Sequence, residues 1–241
     1  MSSPVEHALH HVRSLVSGLP MADALPVTLN FHPDTRVQGG ITIEHIAREG
    51  FYRSQFETGT SNGGVTARSG GDRWTWESRM FGGAYDEADS ALRPKYGALN
   101  FQHRAFGGSP RFGSCHLRLR PQVLARTTFC YPDSHLNPDA FGVVDRMALI
   151  DLAQQNALGL DPVLDNYIEA HVHGPLRIDQ DVEALVLDPS YRHTAIEKWA
   201  MRLGCAVEWH DGFRLQIDRL LAHEGFRPKP AIDAISRLKI S

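Results

Sequence analysis

Residues 167–176 read YIEAHVHGPL. The stretch alternates as a β-strand does, and alternate side chains of a strand point to opposite faces. Ile168, Ala170 and Val172 then share one face, fit to pack on a core, while Tyr167, Glu169, His171 and His173 share the other. A carboxylate and two imidazoles at these intervals suit a metal ladder, the rim of a catalytic cleft, or an ordinary hydrogen-bonded surface. A metal site needs three or four ligands with matched spacing. His171 and His173 supply two, and Glu169, His32 or Asp133 could complete the set. A single His-x-His is weak as a signal, so the two histidines are expected to be satisfied surface groups. Glu169 differs, because it opens an otherwise core-building strand and suits a carboxylate that stabilises developing positive charge.

Three other segments carry groups of the same kind. NFHPD (30–34) reads as a strand end followed by a Pro turn, where Asp34 caps the next backbone or, with His32, stands at the mouth of a cleft. FETGTSNGG (56–64) packs glycines closely enough for backbone to approach a ligand, and Thr58, Ser61 and Asn62 offer neutral hydrogen bonds. It fits neither the Walker pattern nor GxGxxG, so a phosphate cradle is not specified and a surface loop is the plainer reading. RTTFCYPDS (126–134) places Asp133 just beyond a strand, either as a cap or as a carboxylate facing a cleft.

The elements that must hold these groups follow from periodicity. Residues 4–17 have helical spacing, with Val5, Leu9, Val12 and Val16 as a stripe, ended by Gly18 and Pro20. Strands are expected at 25–31, 115–124, 127–131, 181–188 and 205–209, and helices at 41–51, 140–160, 194–204 and from Phe213 onward. The 115–124 strand has a basic outer face of His116, Arg118 and Arg120, and 181–188 is apolar enough to be buried on both sides. Helices and strands mix without a strict βαβ rhythm, which predicts an α+β domain. A chain of 241 residues with 42% hydrophobic and 22% charged content builds a substantial core. Its net charge of −3, with both signs interleaved, gives no support to nucleic-acid binding or to attachment at a membrane surface. No run approaches the ~20 apolar residues of a bilayer span. The first twenty residues lack the basic start and apolar stretch of a secretory signal. Three cysteines without a CxxC predict neither a disulfide framework nor a thiolate zinc site, and fit a reducing compartment.

YGALNF, RFGSCHLRLRP, RTTFCYPDS and YIEAHVHGPLRIDQDVEALVLD, preceded by NFHPD and FYRSQFETGTSNGG, resemble the conserved body of the CteC-like family of bacterial PARP-like ADP-ribosyltransferases. The resemblance spans roughly residues 27–210. It implies a single domain over 1–241 with a split β-sandwich and flanking helices, and target-recognition insertions around 64–95 and 135–165. It also implies NAD as the donor substrate with no metal, and transfer of ADP-ribose to a protein hydroxyl, a threonine of ubiquitin in the CteC-like branch. An aspartate and a glutamate would then catalyse the transfer in place of the Arg-Ser-Glu or His-Tyr-Glu sets. The sequence matches that departure, since it has no Ser-Thr-Ser triplet and position 171 is His rather than the second Glu of a Glu-x-Glu pair.

On this resemblance Glu169 stabilises the ribosyl cation, and Asp133 or Asp34 takes the proton of the acceptor hydroxyl. Glu183 competes for the glutamate role, because EALVLD is similar to the catalytic strand of some PARP-type members. Burial in so apolar a strand argues against it. Phe31, Tyr52 and Phe56 would wall the nicotinamide, and residues 32–34 and 58–63, His32, Thr58, Ser61, Asn62 and Gly63 among them, would supply polar contacts. The expected setting is the cytoplasm where the protein is made, or a host cell reached by a signal-free route. Two other readings stand beside this one: a metal-dependent hydrolase on His171, His173 and a carboxylate, and a catalytically silent ubiquitin-binding module.

Overall fold

The structure is a computed structural model describing residues 3–37, 39–59 and 67–215. Ser61, Asn62 and Gly63, and all but the first residues of the helix expected from Phe213, lie outside the described residues. The chain divides into a unit Met1–Asp211 and a second, Gly212–Ser241. Among the described residues, the helices and strands belong to the first unit.

Helix α1 (Pro4–Leu15) starts at a capping box in which Ser3 accepts from the Glu6 amide and Glu6 accepts from the Ser3 amide. It buries Ala8 and Val12. Strand β1 (Val27–Phe31) follows, then a two-stranded ribbon of β2 (Arg36–Val37) and β3 (Gly40–Ile41). Helix α2 (Thr42–Glu49) ends at Gly50 in the left-handed region (φ 73°), a conformation glycine adopts without steric cost. The next elements are β4 (Phe51–Tyr52), α3 (Gln55–Thr58) and α4 (Asp72–Met80). Strands β5 (Lys95–Leu99), β6 (Cys115–Leu119), β7 (Thr127–Tyr131) and β8 (Ala140–Gly142) precede α5 (Leu149–Gln155). The remainder is β9 (Ile168–Val172), β10 (Leu176–Arg177, paired with β4), α6 (Ile178–Asp181), β11 (Val182–Leu187), α7 (Ala195–Ala200) and β12 (Ala206–Trp209).

Eight strands form one sheet in the order β12-β11-β6-β1-β5-β9-β7-β8. Every pairing is antiparallel except β11 with β12. With the helices around it, this is an α+β fold. Strand alternation gives the sheet two unlike faces. Val27, Leu29, Phe31, Leu99, Leu117, Phe129, Ile168, Ala170 and Leu185 build the main core on one face, against α2, α5 and α7. The other face carries Thr28, Asn30, Tyr96, His116, Thr128, Glu169 and His171, and is covered in part by a smaller cluster from α1, α4, Phe81 and Tyr85.

Several expectations from the sequence change in three dimensions. Residues 140–142 are a strand that pairs with β7, and the helix expected over 140–160 begins only at Leu149, with Val144 in a turn closed by a Val143–Arg146 bridge. His116 is not on an outer basic face but is 3% exposed, and burial pushes its pKa down to about 3. Residues 64–95 and 135–165 include structural parts, α4 burying Glu77 and Met80, and β8 extending the sheet. Among the described residues no helix is long and apolar enough to cross a membrane.

Candidate active site

β9 lies between β5 and β7, with Glu169 opposite Ala98 on one side and Cys130 on the other. A carboxylate there is costly unless its charge is met. Glu169 is 5% exposed, and its hydrogen bonds all end on Oε1: the Ser134 amide donates at 3.3 Å and His171 Nε2 at 2.9 Å, with the Cys130 thiol at 3.8 Å. Oε2 accepts none. Burial raises the Glu169 pKa, but the hydrogen bond of His171, the attraction of that ring when protonated, the charge of Arg73 and the hydrogen bond of Ser134 outweigh it, and the net shift is downward. The group is held ionised.

Asp133 stands beside it at the end of β7, immediately before Ser134. Tyr167, the residue before β9, donates its hydroxyl to Asp133 Oδ2 at 2.6 Å, while Oδ1 is buried without a hydrogen-bond partner. Burial and the nearby Glu169 charge raise the Asp133 pKa; Tyr167, His135 and Arg111 offset only part of this. The two carboxyls are thus driven in opposite directions, the pattern that separates acid–base roles within one site.

The two histidines correct the sequence expectation most directly. Both are fully buried, 0% exposed, and neither is a surface group. They are links in a side-chain path: Tyr85 Oη lies 2.7 Å from His173 Nδ1, His173 Nε2 2.9 Å from Thr128 Oγ1, Thr128 Oγ1 3.1 Å from His171 Nδ1, and His171 Nε2 2.9 Å from Glu169 Oε1. For the form that carries one proton on each imidazole and an ionised Glu169, one proton arrangement satisfies every link. Glu169 only accepts, so His171 carries its proton on Nε2. Thr128 must then donate to His171 Nδ1 and accept from His173 Nε2, which leaves His173 Nδ1 to accept from Tyr85. Burial and the surrounding positive groups hold His173 well below its ordinary pKa, in keeping with a neutral ring.

Arg73 of α4 closes one side. Its guanidinium lies 4.1 Å from the Tyr96 ring centroid, donates to Ser134 Oγ at 3.2 Å, and leaves Nε buried without a partner. The 106–113 segment forms another wall. Asn30 anchors it by donating to the Phe106 and Gly113 carbonyls at 2.8 and 2.9 Å, and it presents Phe112 edge-on to Tyr167 and Arg111 in an ion pair with Asp165. Arg73, Arg111 and Thr128 had no local signature in the sequence. Tyr167 did, by sharing the alternate face with Glu169.

The other expected residues lie elsewhere. Asp34 is exposed beyond Phe31, accepts from the Tyr191 hydroxyl at 3.1 Å, and sits at the opposite end of the sheet from Asp133. Glu183 occupies a bulge in β11, exposed and paired with Arg118 at 3.0 Å, so it avoids the burial its strand implied. Phe31, Tyr52 and Thr58 line one cavity of about 90 Å³, but on the core face, with the sheet between them and Glu169. His32 is exposed at that end, and Phe56 packs under Arg93, 4.0 Å from its guanidinium. Among the described residues the cluster spaced to hold a metal ion is Cys130, Glu169 and His171; His173 is not part of it.

The sequence matches the family described as "Protein of unknown function (DUF3626)" over residues 26–156 and 149–232, and the chain belongs to that family. None of the curated proteins matches it.

Proposed function

For this member of the DUF3626 family we propose mono-ADP-ribosyl transfer from NAD to a protein hydroxyl, with a threonine of ubiquitin as the first acceptor to test. The reading rests on the resemblance of residues 27–210 to the CteC-like transferases. The observation that supports it best is the adjacent pair of carboxyls, Glu169 held ionised with Oε2 unengaged and Asp133 shifted upward with Oδ1 unengaged.

The chemistry assigns each a role. The bond from C1′ of the ribose to nicotinamide breaks, and nicotinamide leaves with the bonding pair. Positive charge grows on the ribose through an oxocarbenium-like state, as in glycoside hydrolysis. Glu169, ionised and fixed by one oxygen, places the other beside that charge. The acceptor oxygen forms the new bond to C1′ while its proton passes to Asp133, whose raised pKa makes it the better base of the two. Of the aspartates considered, Asp133 fits because Asp34 stands at the far end of the sheet. Tyr96, Tyr167 and Phe112 replace Phe31, Tyr52 and Phe56 as the aromatic groups nearest the reacting carbon in this proposal. A hydrolase with His171 and His173 as metal ligands has less support, since among the described residues the cluster spaced to hold a metal ion includes His171 but not His173.

The test is intact mass of ubiquitin after incubation with NAD and the protein, with released nicotinamide measured in parallel. A gain of one ADP-ribose is expected. Glu169→Gln should lower the rate by about 10²–10³ while leaving the fold intact. Ubiquitin binding without nicotinamide release would identify a silent binding module instead.

A further inference from the structure

We propose that Cys130 Sγ, Glu169 Oε1 and His171 Nε2 form a binding site for a zinc-class divalent cation, which competes with transfer chemistry for Glu169. The site stands on geometry alone; the competition rests on the transferase reading. The sulfur lies 3.8 Å from both other donors, and the nitrogen 2.9 Å from the oxygen. A tetrahedral zinc with Zn–S of about 2.3 Å and Zn–N or Zn–O of about 2.0–2.1 Å separates its ligands by about 3.3–3.5 Å. Shifts of about 0.4 Å therefore convert the hydrogen-bonded cluster into a coordination set. All three donors are at least 95% buried on two paired strands, with Cys130 opposite Glu169. A thiolate with an imidazole and one carboxylate favours zinc, cobalt or cadmium over magnesium or calcium, which take oxygen ligands. Asp133, whose Oδ1 is buried and unpartnered, stands one residue before the Ser134 amide that bonds Oε1 but is not among the three residues spaced to hold the ion.

The hydrogen-bonded path adapts to either state. A cation needs His171 Nε2 without its proton, so the proton moves to Nδ1 and donates to Thr128 Oγ1. Thr128 then donates to His173 Nε2, and His173 Nδ1–H donates to Tyr85 Oη. The three contacts from His171 Nδ1 to Tyr85 persist with their direction reversed, while the cation replaces the His171–Glu169 hydrogen bond and the Tyr85 hydroxyl proton loses its acceptor. The number of protons on the path is unchanged, and the Cys130 thiol releases one proton to solvent as the metal–sulfur bond forms. His171 thus has the outer hydrogen bond that fixes the tautomer of a metal-bound imidazole.

The experiment titrates Co²⁺ into the chelator-stripped full chain. His7→Gln and His10→Gln are included to remove binding by the exposed histidines of α1. One equivalent is expected to raise a thiolate-to-cobalt charge-transfer band that Zn²⁺ displaces and Mg²⁺ does not. The band should vanish in Cys130→Ser and persist in Cys115→Ser and Cys205→Ser. No band, or one that survives in Cys130→Ser, overturns the site. NAD turnover should fall in step with Zn²⁺ occupancy and return with chelator; turnover indifferent to a bound cation overturns the competition. If the metal-free protein turns over no NAD, the transferase reading fails while the band still judges the site.

Discussion

At the scale of residues, Thr128 is the hinge of the polar path. Thr128→Val keeps the shape but leaves His171 Nδ1 and His173 Nε2 unpartnered in the interior. Each orphaned buried group costs about 1–3 kcal/mol, so a loss of about 2–6 kcal/mol is expected in chemical denaturation. A variant as stable as the parent would mean the path is not formed. Asp133→Asn tests the base: transfer to a protein hydroxyl should fall much further than hydrolysis of NAD by water. On the proposed mechanism the transfer rate should rise with pH through a midpoint above the ordinary aspartate value, because only the deprotonated Asp133 accepts a proton. Glu169 was legible from spacing, since a period of two places it on the face opposite Ile168 and Ala170. The burial of His171 and His173 was not legible. Their partners Thr128 and Tyr85 lie 43 and 88 residues away in the chain, beyond any local pattern.

At the scale of elements, α4 delivers a second buried charge to the polar face. Glu77 accepts from Arg93 at 2.6 Å and from Tyr96 at 3.0 Å, and desolvation, only partly offset by Arg93, raises its pKa to about 7. A carboxyl that binds its proton more tightly folded than unfolded stabilises fully below its ordinary value of 4.5, and that contribution is lost as pH rises through about 7. The stability of the parent minus that of Glu77→Gln should therefore be larger at pH 5 than at pH 8, by on the order of 2 kcal/mol. An equal difference at both pH values would remove the assignment. Helices α1 and α2 were legible because apolar stripes and glycine stops mark them locally. The strand at 140–142 was not, because pairing with β7 decides its conformation against a helical apolar spacing.

At the scale of the molecule, the sheet divides what the sequence had joined. The mixture of helices and strands made the α+β class legible, but the side of the sheet on which each group would fall depended on register. Phe31 and Tyr52 were expected beside Glu169 and instead line the cavity on the core face. Glu183 is four strand spacings from Glu169, about 19 Å across the sheet. Glu183→Gln should leave NAD turnover within about twofold of the parent and cost under about 1 kcal/mol, the scale of an exposed ion pair. A large loss of turnover would move the catalytic glutamate to β11. The two-residue period of β9 has one more effect. Sliding this strand by a single position against its neighbours would thrust a carboxylate and an imidazole into the oily interior and bring isoleucine and alanine to the side where Arg73 and Thr128 wait. The groups to which the chemistry is assigned therefore also act as a lock on alignment, and misaligned chains are disfavoured as the sheet assembles.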